Sequence, residues 1–214
     1  MILALILFPL LSAIIIFLLK NDNMRNLICR ASALITCVLT FIVVYQNFHE
    51  VSYLSTSMEK TIDYLMMVIE VLLAIYIIYT SIKNRKYLVT LFAAFQTPLI
   101  IWFELTQEHD IEIASVFAFD KLTAIMVLIV GVIGSLICLY AVGYMKWYHI
   151  HHKGYEERKI FFLSVIFLFL SAMFGLVLSN NLIWMYFFWE ITSFCSYLLI
   201  GYTKTEEAKN NSFR

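Results

Sequence analysis

The sequence predicts an all-α, polytopic integral membrane protein of about seven transmembrane helices, and three observations carry the prediction. Of its 214 residues, 62% are hydrophobic and only 14% charged, which excludes an ordinary soluble domain. With two prolines and six glycines the chain is neither loop-rich nor collagenous nor of low complexity, and its apolar runs far exceed the roughly 9–11 residues of a transmembrane strand. Basic residues, finally, recur in every second loop, as they do in a chain that crosses a bilayer repeatedly. The formal net charge of zero hides that segregation, so it points to no nucleic-acid partner and none is expected.

Seven stretches reach the roughly 20 apolar residues that a crossing requires: about 1–19, 27–46, 62–82, 87–105, 121–145, 160–178 and 182–202. The first has no basic leading region and no small-x-small cleavage site, so it reads as a retained helix and not as a signal peptide. Lys20, Arg25 and Arg30 follow span one, and Lys83, Arg85 and Lys86 join spans three and four. Lys146, Lys153, Arg158 and Lys159 join spans five and six, and Lys204, Lys209 and Arg214 follow span seven. The intervening loops hold Glu50 and Glu59, then Glu104, Glu108, Asp110, Glu112 and Asp120, then the turn Ser179-Asn180-Asn181. Thirteen of the fifteen basic residues thus fall on one side, Lys60 and Lys121 being the others. The expected orientation is N-terminus outside and C-terminus cytoplasmic, consistent with an odd number of spans. The expected location is a cell membrane, inner or plasma.

Tyr45, Tyr87, Trp102, Tyr144, Trp147 and Tyr202 lie near span ends and suit interfacial anchoring. Pro9 and Pro98 lie inside spans and are expected to kink them. Gly131 and Gly134 read as a helix-packing patch on span five. Cys29, Cys37, Cys138 and Cys195 have no CxxC spacing and are expected to be small buried hydrophobes. His149, His151 and His152 cluster beside Glu156 and Glu157; a metal centre needs fixed geometry, a solvated loop needs nothing, and no metal is expected. A phosphate loop, a zinc-ligand pattern and a nucleophile elbow are all missing from the sequence.

Only two acidic residues, Glu70 and Glu190, lie deep within apolar spans. Each is at about the ninth residue of its helix, ~12 Å along the axis and so near the midplane. An ionised carboxylate there costs several kcal/mol unless it meets a polar cavity or a partner, and such a residue is a functional candidate by default. The competing reading is a permanently protonated side chain making a helix-to-helix hydrogen bond worth only ~0.6–2 kcal/mol. For Glu70, flanked by Val68, Ile69, Val71 and Leu72, the two readings are balanced. For Glu190 the exchange reading is favoured, because Tyr186, Ser193 and Tyr197 stand at offsets that place them on its own face of the helix. No Lys, Arg or His lies within the interior of any of these spans.

The second half of the chain resembles a family. Asp120-Lys-Leu-Thr-Ala-Ile-Met126, Gly143-Tyr-Met145, Phe161-Phe162, Leu176-Val-Leu-Ser-Asn-Asn-Leu182 and above all Trp189-Glu-Ile-Thr-Ser-Phe-Cys-Ser-Tyr-Leu-Leu-Ile-Gly-Tyr202 look like the antiporter-like large subunits of proton-pumping membrane complexes. These are the L-type subunit of respiratory complex I, the large Mrp-antiporter subunit, and their counterparts in energy-converting hydrogenases. The resemblance covers about residues 117–214 and implies that Glu190 matches the family's membrane-embedded glutamate, which pairs with a lysine two helices later. It divides the chain into an N-terminal four-helix region, 1–116, with a two-helix insertion expected at about 51–105, and the start of an antiporter-like translocation domain at 117–214. The stretch Thr203–Arg214 reads as a loop entering a further helix, so the chain is expected to be truncated relative to the family.

The leading expectation is therefore a membrane subunit, or the N-terminal fragment of one, of an ion-translocating redox complex. It would move protons, or Na+, through Glu190 while partner subunits, membrane and peripheral, carry the electrons. No flavin, haem or iron–sulfur motif is present, so no cofactor is expected in this chain and it would be redox-inactive itself. Two alternatives stand beside it: a structural membrane subunit without transport, and an independent Mrp-like cation/proton antiporter.

Overall fold

The computed structural model describes residues 1–48, 51–54, 59–106, 115–151 and 158–213. Its elements in order are α1 (Ile2–Leu18), α2 (Asp22–Asn47), β1 (Ser52–Leu54), α3 (Glu59–Lys83), α4 (Tyr87–Thr106), β2 (Phe117–Phe119), α5 (Lys121–His151), α6 (Lys159–Leu178) and α7 (Leu182–Ile200), then a 3-10 turn (Gly201–Thr203) and α8 (Glu206–Ser212). A helix stands at each of the seven predicted spans, and the protein is an all-α membrane protein. By length and composition α2, α3, α5, α6 and α7 each suffice to cross a bilayer. Ile2–Leu18 and Tyr87–Trp102 are apolar but shorter, close to the lower limit of roughly 17 residues for a crossing.

Two helices outrun their apolar stretches, each for a local reason. α2 begins at Asp22 because the Asn21 side chain accepts the Asn23 N–H at 3.0 Å and the Met24 N–H at 3.4 Å, satisfying donors that a helix start leaves open. α5 continues to His151 through rings spaced one turn apart. Tyr140 stacks on Tyr144 with centroids at 5.8 Å, Tyr144 on Tyr148 at 5.9 Å, and Trp147 lies 4.3 Å from His151.

The chain forms two compact units, Met1–Tyr53 with Phe117–Ser212, and Leu54–Val116. Packing thus groups the first two helices with the later ones in one unit. In the larger unit α1 packs on α6 and α2, α2 on α5, α5 on α6, and α6 on α7. The α1–α6 seam is tied by two serines: Ser164 Oγ donates to the Ala13 carbonyl at 2.6 Å and Ser171 Oγ to the Ile6 carbonyl at 2.7 Å. Pro9 has no N–H to offer the preceding turn, and Ser171 supplies a donor to that same turn. Small residues bring other pairs together, Gly131 against Thr40, Gly134 against Leu170 and Gly175 against Phe188. β1 and β2 form a two-stranded sheet, and Phe117 pairs with Ser179 in an isolated bridge.

The smaller unit is the α3–α4 hairpin. Its turn takes Arg85 through a left-handed conformation at φ 57°. Ser81 Oγ donates to the Lys86 carbonyl at 2.6 Å and Thr90 Oγ1 to Ser81 Oγ at 3.0 Å. Val116 N–H donates to the Leu54 carbonyl at 3.0 Å, joining the ends of the unit. Most of its large apolar side chains, among them Leu65, Leu72, Leu88 and Phe95, are exposed while Met66, Glu70 and Ser81 are buried. Large apolar side chains turned outward suit a lipid surround.

Arg25, placed by the sequence after span one, lies on α2, one turn before Cys29 and on the buried face of the helix, where it is only 1% exposed.

Candidate proton-exchange site on α7

α7 begins at Asn181, whose side chain accepts the Ile183 N–H at 2.9 Å. Its inward side carries Trp184, Phe187, Thr192 and Cys195, all buried. Trp184 meets Phe117 edge to face at 5.2 Å, and Phe188 fills the space beside Gly175. These anchors fix the rotation of the helix and leave Glu190 half-buried on its flank, next to Trp189, which is 61% exposed.

Of the residues expected around Glu190, the structure brings Tyr186 to it: the phenol O–H donates to Glu190 Oε1 from one turn earlier. Tyr197 is half-buried and Ser193 exposed on the same helix. Thr192 Oγ1 donates to the Trp189 carbonyl at 2.7 Å and Ser196 Oγ to the Thr192 carbonyl at 2.9 Å, so both hydroxyls turn back to their own backbone. Chemically, a carboxyl with one oxygen accepting a phenol hydrogen bond can take and release a proton on the other. Glu70 belongs to the other unit, lies on α3 and is 8% exposed.

The remaining expectations fall as follows. Cys29, Cys138 and Cys195 are buried free thiols and Cys37 is half-buried. His151 Nδ1 is 3.0 Å from the Trp147 carbonyl and its ring lies on the Trp147 ring. His152, Glu156 and Glu157, like Glu50, Glu108, Asp110, Glu112 and Lys153, lie outside the described residues. Among the described residues no group of three metal-ligating side chains converges.

Two features escape a reading by residue type. Asp120, which opens the Asp-Lys-Leu-Thr segment, caps α5: its Oδ1 accepts the Thr123 N–H at 2.7 Å, and that bond holds its carboxyl below the usual value. An Asp standing at the head of an apolar run is the N-cap signal that could have found it. Buried Arg25 is the other; the apolar and small residues at positions 29, 32, 36 and 40 continue its face at helical spacing.

Known proteins resemble the same part of the chain. Residues 102–156 match the family described as NADH-ubiquinone oxidoreductase (complex I), chain 5 N-terminus. Residues 179–213 match the NADH:quinone oxidoreductase/Mrp antiporter transmembrane family. NAD(P)H-quinone oxidoreductase subunit 5 of the Poa pratensis chloroplast is 41% identical over 97 residues, 45% of this chain and 13% of that protein. The chloroplastic proteins of the same name from Physcomitrium patens and Phaseolus vulgaris are 36% identical over 105 residues and 38% over 107. These matches cover 49% and 50% of this chain and 14% and 13% of theirs. The resemblance to the antiporter-like subunits is thereby shown. It spans about an eighth of the length of these relatives, and Glu190 lies inside the second matched segment, whereas Glu70 lies outside both.

Proposed function

We propose that this chain is part of an ion-translocating membrane subunit in a multi-subunit NAD(P)H-quinone oxidoreductase-like complex, in which Glu190 exchanges the transported proton. The observation that carries the reading is the placement of Glu190. It lies within the segment matched to the oxidoreductase/antiporter family, halfway along an apolar helix, with a phenol held against its carboxyl. The other subunits supply the driving energy, since moving one charge against 100 mV costs about 2.3 kcal/mol and this chain carries no redox centre motif. Tyr186 orients the carboxyl; Ser193 and Tyr197 extend its polar flank. The coupling ion proposed is the proton, with Na+ as the competitor. The chloroplast compartment of the relatives weighs toward an internal energy-transducing membrane over the plasma membrane expected from the sequence.

The test is Glu190→Gln in the native complex, reconstituted in vesicles. The amide keeps the volume and a hydrogen-bonding oxygen but cannot exchange a proton. Assembly should persist while pumping falls on the order of 10²-fold, the lower end of what a positioned proton-transfer group contributes. Undiminished pumping in a complex shown by mass spectrometry to contain the variant refutes the assignment. Glu70→Gln, outside the matched segments, should leave pumping unchanged.

A further inference from the structure

The last turn of α6 holds α7 at two points. The Gly175 carbonyl accepts the Ser179 N–H at 3.0 Å and the Ser179 hydroxyl at 2.7 Å, which fixes Ser179 where it bridges to Phe117 of β2. Phe117 in turn meets Trp184 edge to face at 5.2 Å. The second point is direct, because Phe188, one turn after Trp184, packs on buried Gly175 itself. A Cβ on Gly175 would lie 2.4 Å from Phe188 Cε1, 2.5 Å from Cδ1 and 2.6 Å from Cζ. Nearly equal distances to three consecutive ring atoms mean that the face of the ring, not its edge, covers the glycine. A ring lying face-on is already at its thinnest, so turning it about its own bond makes no room.

Trp184 and Phe188 share one side of α7. Tyr186 and Glu190, each two residues further on, come round by roughly 200° to nearly the opposite side. Gly175 is thus across α7 from the carboxyl, yet the depth to which Phe188 seats on it sets how far α7 stands from α6. Ordinary carbon contacts begin near ~3.5 Å. A methyl group at position 175 would therefore lift Phe188, and α7 with it, by roughly 1 Å. The helix moves as one body over a single turn, so Glu190 would be carried by the same amount with its bond to Tyr186 intact.

We infer that Gly175 is a positioning residue for Glu190, its missing side chain setting the place at which α7 presents the carboxyl. The inference rests on the reading of Glu190 as the proton-exchanging group. Pumping per assembled complex in vesicles tests it, with assembly measured separately by mass spectrometry. Gly175→Ala should assemble and pump roughly 10-fold less than the wild type, within the ~10²-fold that a 1 Å misplacement can cost. Phe188→Leu leaves a gap at the same contact and should lose several-fold. The two together exchange ring volume for a methyl group and should pump better than either alone. In the Glu190→Gln background Gly175→Ala should cost nothing further, because a residue acting through the carboxyl has nothing left to act on. A glycine that serves packing alone would lower the amount of assembled complex and leave pumping per complex unchanged. That result overturns the inference, as does a loss that adds to that of Glu190→Gln. Where Gly175→Ala fails to assemble, Phe188→Leu decides by the same two criteria. Undiminished pumping in Glu190→Gln removes the underlying reading instead, so the two failures are told apart.

Discussion

Replacing Gly131 by alanine probes the register on which the α2–α5 seam depends. A Cβ at that position would lie 2.1 Å from Thr40 Oγ1, 2.5 Å from its Cγ2 and 2.7 Å from its Cβ. Ordinary carbon contacts begin near ~3.5 Å, so the helices would have to part by roughly 1 Å. Thr40 cannot swing aside cheaply, being β-branched and bonded through Oγ1 to the Thr36 carbonyl at 2.8 Å. Two opposing magnitudes decide the sign. Gly→Ala in a helix interior gains up to ~1 kcal/mol in helix propensity, while overpacking costs ~1–3 kcal/mol, so Gly131→Ala should destabilise by up to ~2 kcal/mol net. Thr40→Gly removes all three clashing atoms, and in its background Gly131→Ala should recover most of that loss, a coupling that a double-mutant cycle isolates. Unfolding in mixed micelles, followed by circular dichroism, gives all four corners of the cycle. If Gly131→Ala is stabilising in the wild-type background, or if the two substitutions are additive, the helices do not meet where described.

Other substitutions separate the parts of the structure. Ser171→Ala should lower stability by ~0.6–2 kcal/mol in the same micelle assay by removing the bond to the Ile6 carbonyl, and Ser164→Ala should do likewise at Ala13. Asp120→Ala should be less stable than the wild type at neutral pH. Because the folded carboxyl lies below its ordinary 3.8, the charged cap contributes fully above that value, and the difference should shrink as pH falls through the lowered one, as thermal midpoints over an acid series would show. Tyr186→Phe should leave the complex assembled yet reduce its proton pumping, by less than Glu190→Gln does; equal pumping with phenylalanine would separate the phenol from the transport step.

The positions of the helices were legible because lipid imposes a single demand, an uninterrupted apolar run whose backbone bonds close within the segment, and every such run here became a helix. What the runs could not show was where polar residues extend them. The Asn21 cap and the tyrosine ladder of α5 depend on side-chain bonds and ring stacking that hydropathy does not register, and with the cap went the burial of Arg25. Packing partners were hidden for a related reason. Every span is apolar almost all round, so composition alone cannot say that α1 lies on α6; it took two serines aimed at the Ala13 and Ile6 carbonyls to show the face. Glu190 was visible as a costly residue at mid-helix, and its neighbour Tyr186 followed from helical spacing. Ser193 shares that spacing but is exposed, because anchoring by Trp184, Phe187 and Cys195 turns its side of α7 outward.

The hydrogen bond at Glu190 bears on the choice between transport and plain structure. A buried carboxyl kept for stability should tie one helix to another, as Ser164 and Ser171 do across the α1–α6 seam. The Tyr186–Glu190 bond joins two residues of α7 one turn apart, so that bond by itself ties no second helix to α7. What it does supply is a fixed orientation for a carboxyl whose flank, with Trp189 and Ser193 exposed beside it, is not sealed within its own unit. On the transport reading, a carboxyl so oriented exchanges a proton there. The structural reading predicts that losing Glu190 weakens assembly; the transport reading predicts that assembly survives and pumping does not.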